Sequence, residues 1–260
     1  MDQPTVAAVV VSTVDVQPGQ LLRLTAPALT SHEAHIWNFS LGASESWRAI
    51  CEQPLSSDEV ARASRFHFER DALRFKIARG TVRVILGAYL NVPAGELRFV
   101  STKNGKPSLV EPKSDLRFNL SHSADRGMLG VAMGREIGVD VEAIRPDVET
   151  DKLAERFFSQ RERESIRALP QPDRVSAFFR CWSCKEAFLK AQGVGLSRGL
   201  GSFDVEVNSA RPAHLIATRP DAGEATKWHL HEVKGAAGYA AAVAVEGSIR
   251  EIKILNCPAE

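Results

Sequence analysis

The chain has 260 residues, of which 44% are hydrophobic and 25% charged, and its formal net charge at pH 7 is +1. This balance is typical of a folded globular chain, and the near-neutral charge argues against a general attraction to nucleic acid or to a membrane surface. The apolar run "VAAVVV" near the N-terminus is too short for a membrane span and lacks a signal-peptide pattern, so we expect a cytoplasmic protein whose four cysteines are reduced.

The first half is predicted to alternate strands and helices. Residues 1–34 contain three prolines and little periodicity, which indicates an extended N-terminal segment. A strand is predicted at 35–41, and helical periodicity covers 55–90 with a break near Phe68–Glu69. Further strands are predicted at 96–101 and 116–123, followed by a hairpin over 128–142 that turns at Gly134–Arg135.

The second half repeats this order. Helices are predicted at 150–168 and 172–192, and strands at 202–207, 214–219, 228–233 and 239–245. We therefore predict an α+β fold made of a pseudo-twofold pair of similar subdomains, each with a small antiparallel sheet packed on helices. The predicted bounds are an N-terminal extension at 1–34, an N-terminal subdomain at 35–136 and a C-terminal subdomain at 137–260. This internal duplication favours a monomer.

Two acidic residues interrupt an apolar strand in "IGVDVE" at 137–142. Asp140 and Glu142 are two residues apart, so they share one face of the strand. Like charges beside buried aliphatic residues raise a carboxyl pKa unless something neutralises them. The acids either face water at a sheet edge or bind a hard divalent cation.

A second group of charges lies on the helix predicted at 172–192. Glu186 and Lys190 are four residues apart, and Lys185 is adjacent, on a helix that is apolar around much of its circumference. An exposed Glu–Lys pair of this kind contributes little, but buried charges need partners. Glu186 is a candidate third metal ligand, with the two lysines facing an anion.

Polar side chains also end the strand "FNLSHS" at 118–123. Asn119, Ser121 and His122 either bond to nearby backbone in a turn or line a cleft, where His122 would contact a phosphate oxygen.

Two other motifs match a hydrolase nucleophile site and a reactive or metal-binding cysteine pair, but the secondary structure predicted around them does not favour either function. "GLSRG" at 195–199 matches the nucleophile elbow of hydrolases, with Asp204 and His229 downstream, but it follows a predicted helix where the elbow requires a preceding strand. "CWSC" at 181–184 lies within a helix and has no second Cys pair, so its cysteines are expected to be small buried hydrophobes.

Taken in order, "FNLSHS", "IGVDVE" and "CWSCKEAFLKAQGVGLS" resemble the Sfp-type 4′-phosphopantetheinyl transferases, together with "SRFHFERDALRFKIARG" and "GKPSL" upstream. The resemblance covers about residues 35–245. It implies an enzyme that moves the phosphopantetheine arm of coenzyme A to a serine of an apo carrier protein and releases adenosine 3′,5′-bisphosphate. It further implies Mg²⁺ as cofactor and small acidic helical carriers of polyketide, peptide or fatty acid synthesis as partners. Secondary metabolism is favoured by analogy only.

The resemblance also implies a role for each matching residue. Asp140, Glu142 and Glu186 would hold Mg²⁺, and Glu186, Lys190 and His122 would be catalytic, with Glu186 as the general base. Arg62 would bind the 3′-phosphate, where Glu59 replaces a second basic residue of some members. The remaining contacts to coenzyme A would come from Ser101, Lys106, Asn119, Ser121, His122, Lys185 and Lys190. Two competing interpretations are a non-catalytic coenzyme A or nucleotide-binding module of the same fold and an interaction domain without a ligand.

Overall fold

The computed structural model describes residues 9–15, 26–234 and 237–257, except for the side chains of residues 196 and 197. Within those ranges, no helix has the length and hydrophobicity needed to cross a membrane. The first half contains β1 Val10–Asp15, β2 Glu33–Ser40, α1 Glu45–Glu52, α2 Ser57–Ala63, α3 Glu69–Leu90, β3 Arg98–Ser101, β4 Pro107–Glu111, β5 Leu116–Ser123 and β6 Arg126–Met133. The second half contains β7 Ile137–Ala143, α4 Thr150–Phe157, α5 Gln160–Arg167, α6 Gln171–Gln192, β8 Phe203–Val205, β9 Leu215–Thr218, β10 Trp228–Glu232, β11 Tyr239–Glu246 and β12 Glu251–Asn256.

Local sequence signals account for the helix boundaries. Ser56 and Glu59 form the capping box that begins α2, and the predicted break falls between α2 and α3. Helix α6 has Pro172 in its first turn and ends at Gly193, whose φ of 67° is in the left-handed region. Helix α1 and strand β12 were not predicted from the sequence.

Within the described residues, the strands form two main sheets and two short two-stranded ones. The larger main sheet has the order β1-β12-β2-β6-β5, and the smaller has the order β10-β11-β7. Strand β12 runs parallel to both β1 and β2, so the end of the chain returns to the first-half sheet. The α+β fold class is confirmed, but residues 251–256 lie with the N-terminal sheet, outside the second half to which the predicted boundary assigns them. Strand β1 likewise gives part of the predicted N-terminal extension a place at the edge of this sheet.

The predicted hairpin at 128–142 is wrong. Strand β6 pairs with β2 and β5, whereas β7 pairs with β11 in the other sheet. The turn at Gly134 therefore carries the chain from one sheet to the next. Gly130 allows the two strands to pack closely, because a Cβ there would lie 2.6 Å from Cγ1 of Val139. The alternation of residues facing opposite sides predicts two strands and a turn, but it does not predict which strand of which sheet each of them will pair with.

Three hydrophobic clusters place the elements in layers. One cluster packs α3 on the larger sheet, and another packs α6 on the smaller sheet. The third lies between the two sheets and includes Ile36 of β2, Val139 of β7 and Val243 of β11. Since Ile137, Val139 and Val141 face this central layer, the alternate residues Gly138, Asp140 and Glu142 face α6.

Candidate active site

The site is built where helix α6 lies directly on strand β7. Gly138 makes this close approach possible, since a Cβ there would stand 2.8 Å from Cα of Ala191 and nearer still to backbone atoms of Ala187 and Ala191. Glu186 directly precedes Ala187 and Lys190 directly precedes Ala191 on this helix. The contact of Ala187 and Ala191 with Gly138 therefore brings both charged residues beside the acidic face of β7.

Asp140 is the centre of this contact. Its side chain is 1% exposed, and its Oδ1 accepts hydrogen bonds from Nζ of Lys190 at 2.6 Å and from Oγ of Ser121 at 3.0 Å. Lys190 also donates to Oγ of Ser121 at 2.9 Å. The other carboxylate oxygen of Asp140, Oδ2, is buried and has no hydrogen-bond partner among the described residues. A buried carboxylate oxygen without a partner is costly, which marks it as a position for a missing positive group.

Glu142 and Glu186 complete the acidic cluster. Burial raises the pKa of Glu142, and the charge of Asp140 raises it further, although the hydroxyl of Ser123 bonds Oε2 at 2.8 Å. Burial also raises the pKa of Glu186; Lys190 opposes this effect, while Asp140 and Glu142 add to it. Each carboxylate therefore increases the cost of charging another, and Lys190 supplies positive charge that offsets part of this cost.

The chemistry of this cluster fits a hard divalent cation. Carboxylate oxygens are the ligands such ions prefer. Oδ2 of Asp140 has no partner among the described residues, and burial first and neighbouring carboxylates second raise the pKa values of Glu142 and Glu186, so a cation bound here would lower the cost of keeping these acids charged. However, within the described ranges no three His, Cys, Asp or Glu side chains are already gathered in metal-binding geometry.

An open cleft of about 430 Å³ reaches the cluster at His122, which lines the cleft and directly follows Ser121, the residue that bonds Asp140 and Lys190. Its lining includes four arginines, one of them the predicted site residue Arg62, and two further predicted site residues, namely Arg62, Arg79, Arg83, Arg98, Ser101 and His122. The pKa of His122 is lowered by partial desolvation and by the charges of Lys190 and Arg74, which favours the neutral imidazole. The cleft therefore presents positive charge and a neutral imidazole, which suits a phosphate-bearing ligand.

Glu59 organises the arginines at one end of this cleft. Its two oxygens accept hydrogen bonds from Nε of Arg79 at 2.7 Å and from Nε of Arg83 at 2.6 Å. Burial acts to raise the pKa of Glu59, but the backbone of Ser56 and both guanidinium groups outweigh it and hold the pKa low. Arg62 has no ion pair among the described residues and lies over the ring of Phe75 at 5.2 Å. Glu59 thus neutralises two arginines and leaves Arg62 available to an anion.

Lys185 does not line the cleft. Its position therefore does not support the predicted contact with an anionic ligand. Its side chain is fully buried, and Nζ lies 2.7 Å from Oε1 of Glu162. Nζ also donates to the carbonyl oxygens of Leu200 and Phe203 and lies over the ring of Phe203. With three partners already bound, Lys185 anchors α6 to the elements behind it.

Lys106 and Asn119 are also engaged in structural contacts. Nζ of Lys106 donates to Oε2 of Glu136 at 2.7 Å and to the carbonyl oxygen of Ala191 at 2.9 Å, so it ties the β3–β4 hairpin to the end of α6. Asn119 is 4% exposed, and its Oδ1 accepts the backbone N–H of Val139 at 2.9 Å. Both side chains therefore have structural contacts, and their predicted contacts with coenzyme A stay predictions.

Side chains of β5 join the two sheets. Asn119, Ser121 and Ser123 accept the backbone N–H groups of Val139, Val141 and Ala143, in that order along β7. These bonds replace the backbone ladder that would otherwise pair the strand edges. The sequence reasoning missed Ser123, although it continues the same alternation. It also missed Arg79 and Arg83, whose spacing of four residues on α3 was an available signal.

The "GLSRG" and "CWSC" motifs have structural roles. Residues 195–198 form a 3-10 turn between α6 and β8, so no strand precedes the "GLSRG" serine. Asp204 is paired with Arg219, as expected of a structural carboxylate. All four cysteines are buried and free, and burial raises the pKa of Cys51 and Cys184 to about 12. These thiols are unreactive hydrophobes, as predicted.

Comparison with known proteins decides the family. The family model described as the 4′-phosphopantetheinyl transferase superfamily matches residues 136–244, and the model described as 4′-phosphopantetheinyl transferase, N-terminal, matches residues 37–132. The chain is 41% identical over 221 residues to the 4′-phosphopantetheinyl transferase HetI of Nostoc sp., covering 84% of this chain and 90% of that one. The chain belongs to the Sfp-type 4′-phosphopantetheinyl transferases. The resemblance predicted from the motifs is thereby confirmed.

Other relatives agree with this assignment. The 4′-phosphopantetheinyl transferase Sfp of Bacillus subtilis is 30% identical, with 59% of this chain and 67% of Sfp covered. Among solved structures, a holo-(acyl-carrier-protein) synthase from Bacillus anthracis in complex with CoA (3′,5′-ADP) is 24% identical, with a TM-score of 0.35 over 44% of this chain and 96% of that one. A likeness at that TM-score adds nothing to the family assignment.

Proposed function

We propose that this chain transfers the 4′-phosphopantetheine arm of coenzyme A to a serine hydroxyl of an apo carrier protein. The observation that carries the proposal is the cluster of Asp140, Glu142, Glu186 and Lys190 beside a cleft lined by arginines and His122. The membership of the transferase family supplies the reaction class. The carrier classes remain the predicted ones, those of polyketide, peptide and fatty acid synthesis. The two-subdomain division, the monomeric state and the location in the cytoplasm also remain predictions.

Glu186 is the proposed general base. The reaction requires the serine proton to leave as its oxygen bonds to the phosphorus of the pantetheine-bearing phosphate. The phosphoanhydride bond then breaks, and adenosine 3′,5′-bisphosphate departs with the electron pair. Because burial and two neighbouring carboxylates raise the pKa of Glu186, its carboxylate has a greater affinity for the serine proton than an exposed glutamate.

Lys190 and His122 are proposed to stabilise the charge that develops on phosphate oxygens. The Nζ of Lys190 is already held between Asp140 and Ser121, so little reorganisation is needed when a phosphate approaches. The neutral His122 can donate one hydrogen bond to a phosphate oxygen. Arg62, which has no ion pair in the described chain, is the proposed 3′-phosphate contact, and Ser101 lines the same cleft.

Asp140, Glu142 and Glu186 are the residues that would hold Mg²⁺. When bound there, the ion would supply positive charge that offsets the negative charge of the pyrophosphate and of the leaving group. Its fit rests on the unpartnered Oδ2 of Asp140 and on the pKa values of the other two acids, which burial and neighbouring carboxylates raise.

A non-catalytic coenzyme A-binding module is not favoured, because a module that only binds would not need the half-buried carboxylate of Glu186 with a raised pKa. The test is the release of adenosine 3′,5′-bisphosphate, measured by chromatography, with coenzyme A, Mg²⁺ and an apo carrier. Release is expected with the native carrier and absent with a carrier whose acceptor serine is replaced by alanine. Binding of coenzyme A without carrier-dependent release would refute the proposal and favour the module.

A further inference from the structure

The segment between α2 and α3 exposes large apolar side chains next to the cleft. Phe68 is 61% exposed, Val60 49% and Phe66 40%, and residues 64–70 are all exposed. An isolated exposed apolar residue is ordinary, but several within nine residues of sequence indicate a surface that a partner covers. We call Val60, Phe66 and Phe68, together with Arg65, Arg70 and Arg74, the docking patch.

The docking patch is connected to the cleft through Phe75. The ring of Phe66 packs against that of Phe75 at 5.4 Å between centroids, and Phe75 lines the cleft together with Arg62. Arg74, the preceding residue, lies close enough to His122 for its charge to act on the imidazole. The patch is therefore continuous with the rim of the cleft, where Arg62 and His122 are also exposed.

The patch is also locally positive. Residues 61–75 contain four arginines and two carboxylates, which gives a local formal charge of +2 where the whole chain has only +1. Arg65 and Arg74 have no ion pair among the described residues, and Arg70 has only an exposed one with the adjacent Asp71 at 3.7 Å. Unpaired arginines around exposed aromatic rings are complementary to an acidic surface that carries a few apolar side chains.

We propose that the docking patch binds the acidic face of the carrier protein whose serine enters the cleft. This inference rests on the proposed function, which requires a protein substrate large enough to cover the rim while one of its serines reaches Glu186. Phe68 would be the apolar anchor, and Arg65 would supply the charge attraction.

The test compares Phe68→Ser and Arg65→Glu with native enzyme in steady-state transfer to an acidic apo carrier. Each variant is expected to raise KM for the carrier by at least about tenfold, the usual loss for a central interface residue. The kcat value and the Kd for coenzyme A, measured by calorimetry, are expected to stay within about twofold. Added salt should raise KM less for Arg65→Glu than for native enzyme.

Matched controls are Val10→Ser, an equally exposed apolar residue at the start of β1, and Arg161→Glu, an exposed arginine on α5. Both are expected to leave KM unchanged. If native enzyme transfers but the patch variants keep native KM, the docking proposal is wrong and the proposed function stands. If native enzyme transfers to no carrier, both are wrong. Concentration-dependent dimers, seen by ultracentrifugation and lost in Phe68→Ser, would reassign the patch to self-association and also refute the proposal.

Discussion

Replacing Gly138 by alanine should separate the two elements that form the site. The new Cβ would stand 2.8 Å from Cα of Ala191 and closer to other backbone atoms of α6. Backbone of a long helix cannot yield as the end of a flexible side chain can, so the whole helix must move away from β7 or the strand must distort.

The size of the effect follows from this distance. Non-bonded carbon atoms prefer about 3.5–4.0 Å, so α6 must retreat by roughly 0.7 Å or more. A displacement near 1 Å of catalytic groups costs on the order of a hundredfold in rate, because Glu186 and Lys190 move with α6 while Asp140 stays on β7. Overpacking also destabilises a fold by about 1–3 kcal/mol.

Two measurements on Gly138→Ala check this reasoning. Urea unfolding should show the loss of stability, and transfer to a carrier under conditions where the variant is fully folded should show the loss of rate. Gly201→Ala is the matched control, because its Cβ would meet the carbonyl oxygen of Phe157 at an ordinary 3.7 Å. A Gly138→Ala variant with native stability and native rate would refute the close contact between α6 and β7.

Four further outcomes are expected. Glu186→Gln should reduce kcat at least about a hundredfold with an unchanged melting temperature; a near-native rate would exclude Glu186 as the base. Lys185→Met should lose about 3–5 kcal/mol in chemical unfolding by leaving Glu162 buried without its partner, and equal stability would show that the pair is not needed. Arg62→Ala should raise KM for coenzyme A far more than for 3′-dephospho-coenzyme A, and equal increases would rule out the 3′-phosphate role. Because the folded-state pKa of Glu59 is lowered, its contribution to stability is present above its unfolded value of about 4.5 and disappears as the pH falls through the folded value; Glu59→Gln should flatten this part of the pH–stability curve, and an unchanged curve would contradict the lowered pKa.

The sequence was sufficient for the elements with clear periodicity and caps. The break between α2 and α3 was predicted near Phe68–Glu69 from the change in helical periodicity, and α6 was predicted to within one residue at its start. Strand β5 was predicted with its observed bounds. These features depend on neighbouring residues, which a single sequence contains in full.

Long-range pairing was harder to predict. The alternation in 128–142 gave two strands correctly, but the transfer of β7 to a second sheet depends on β11, about a hundred residues away. Strand β12 was missed, and its parallel pairing with β2 joins residues more than two hundred positions apart in the sequence. Such pairings depend on which edges are still free after the rest of the chain has folded.

Within the candidate site, the group of three carboxylates was easier to predict than the contacts of the lysines. The hydrogen bonds between side chains of β5 and the backbone of β7 were also harder to predict. Carboxylates in an apolar strand are conspicuous because they are costly there, and Asp140, Glu142 and Glu186 do interact with one another. Lys185 and Lys106 looked like anion ligands, but a lysine is equally suited to a buried glutamate or to backbone carbonyls. Their partners, Glu162 and Glu136 among them, are distant in sequence and could not be identified from spacing.

Intact-protein mass spectrometry of an apo carrier protein incubated with this enzyme, coenzyme A and Mg²⁺ tests the transferase activity. We expect the carrier to gain the mass of one phosphopantetheine, and a metal chelator or Glu186→Gln to abolish this gain. No mass gain on any apo carrier, under conditions where the native enzyme binds coenzyme A, would contradict the assignment of the acidic cluster as a transferase site.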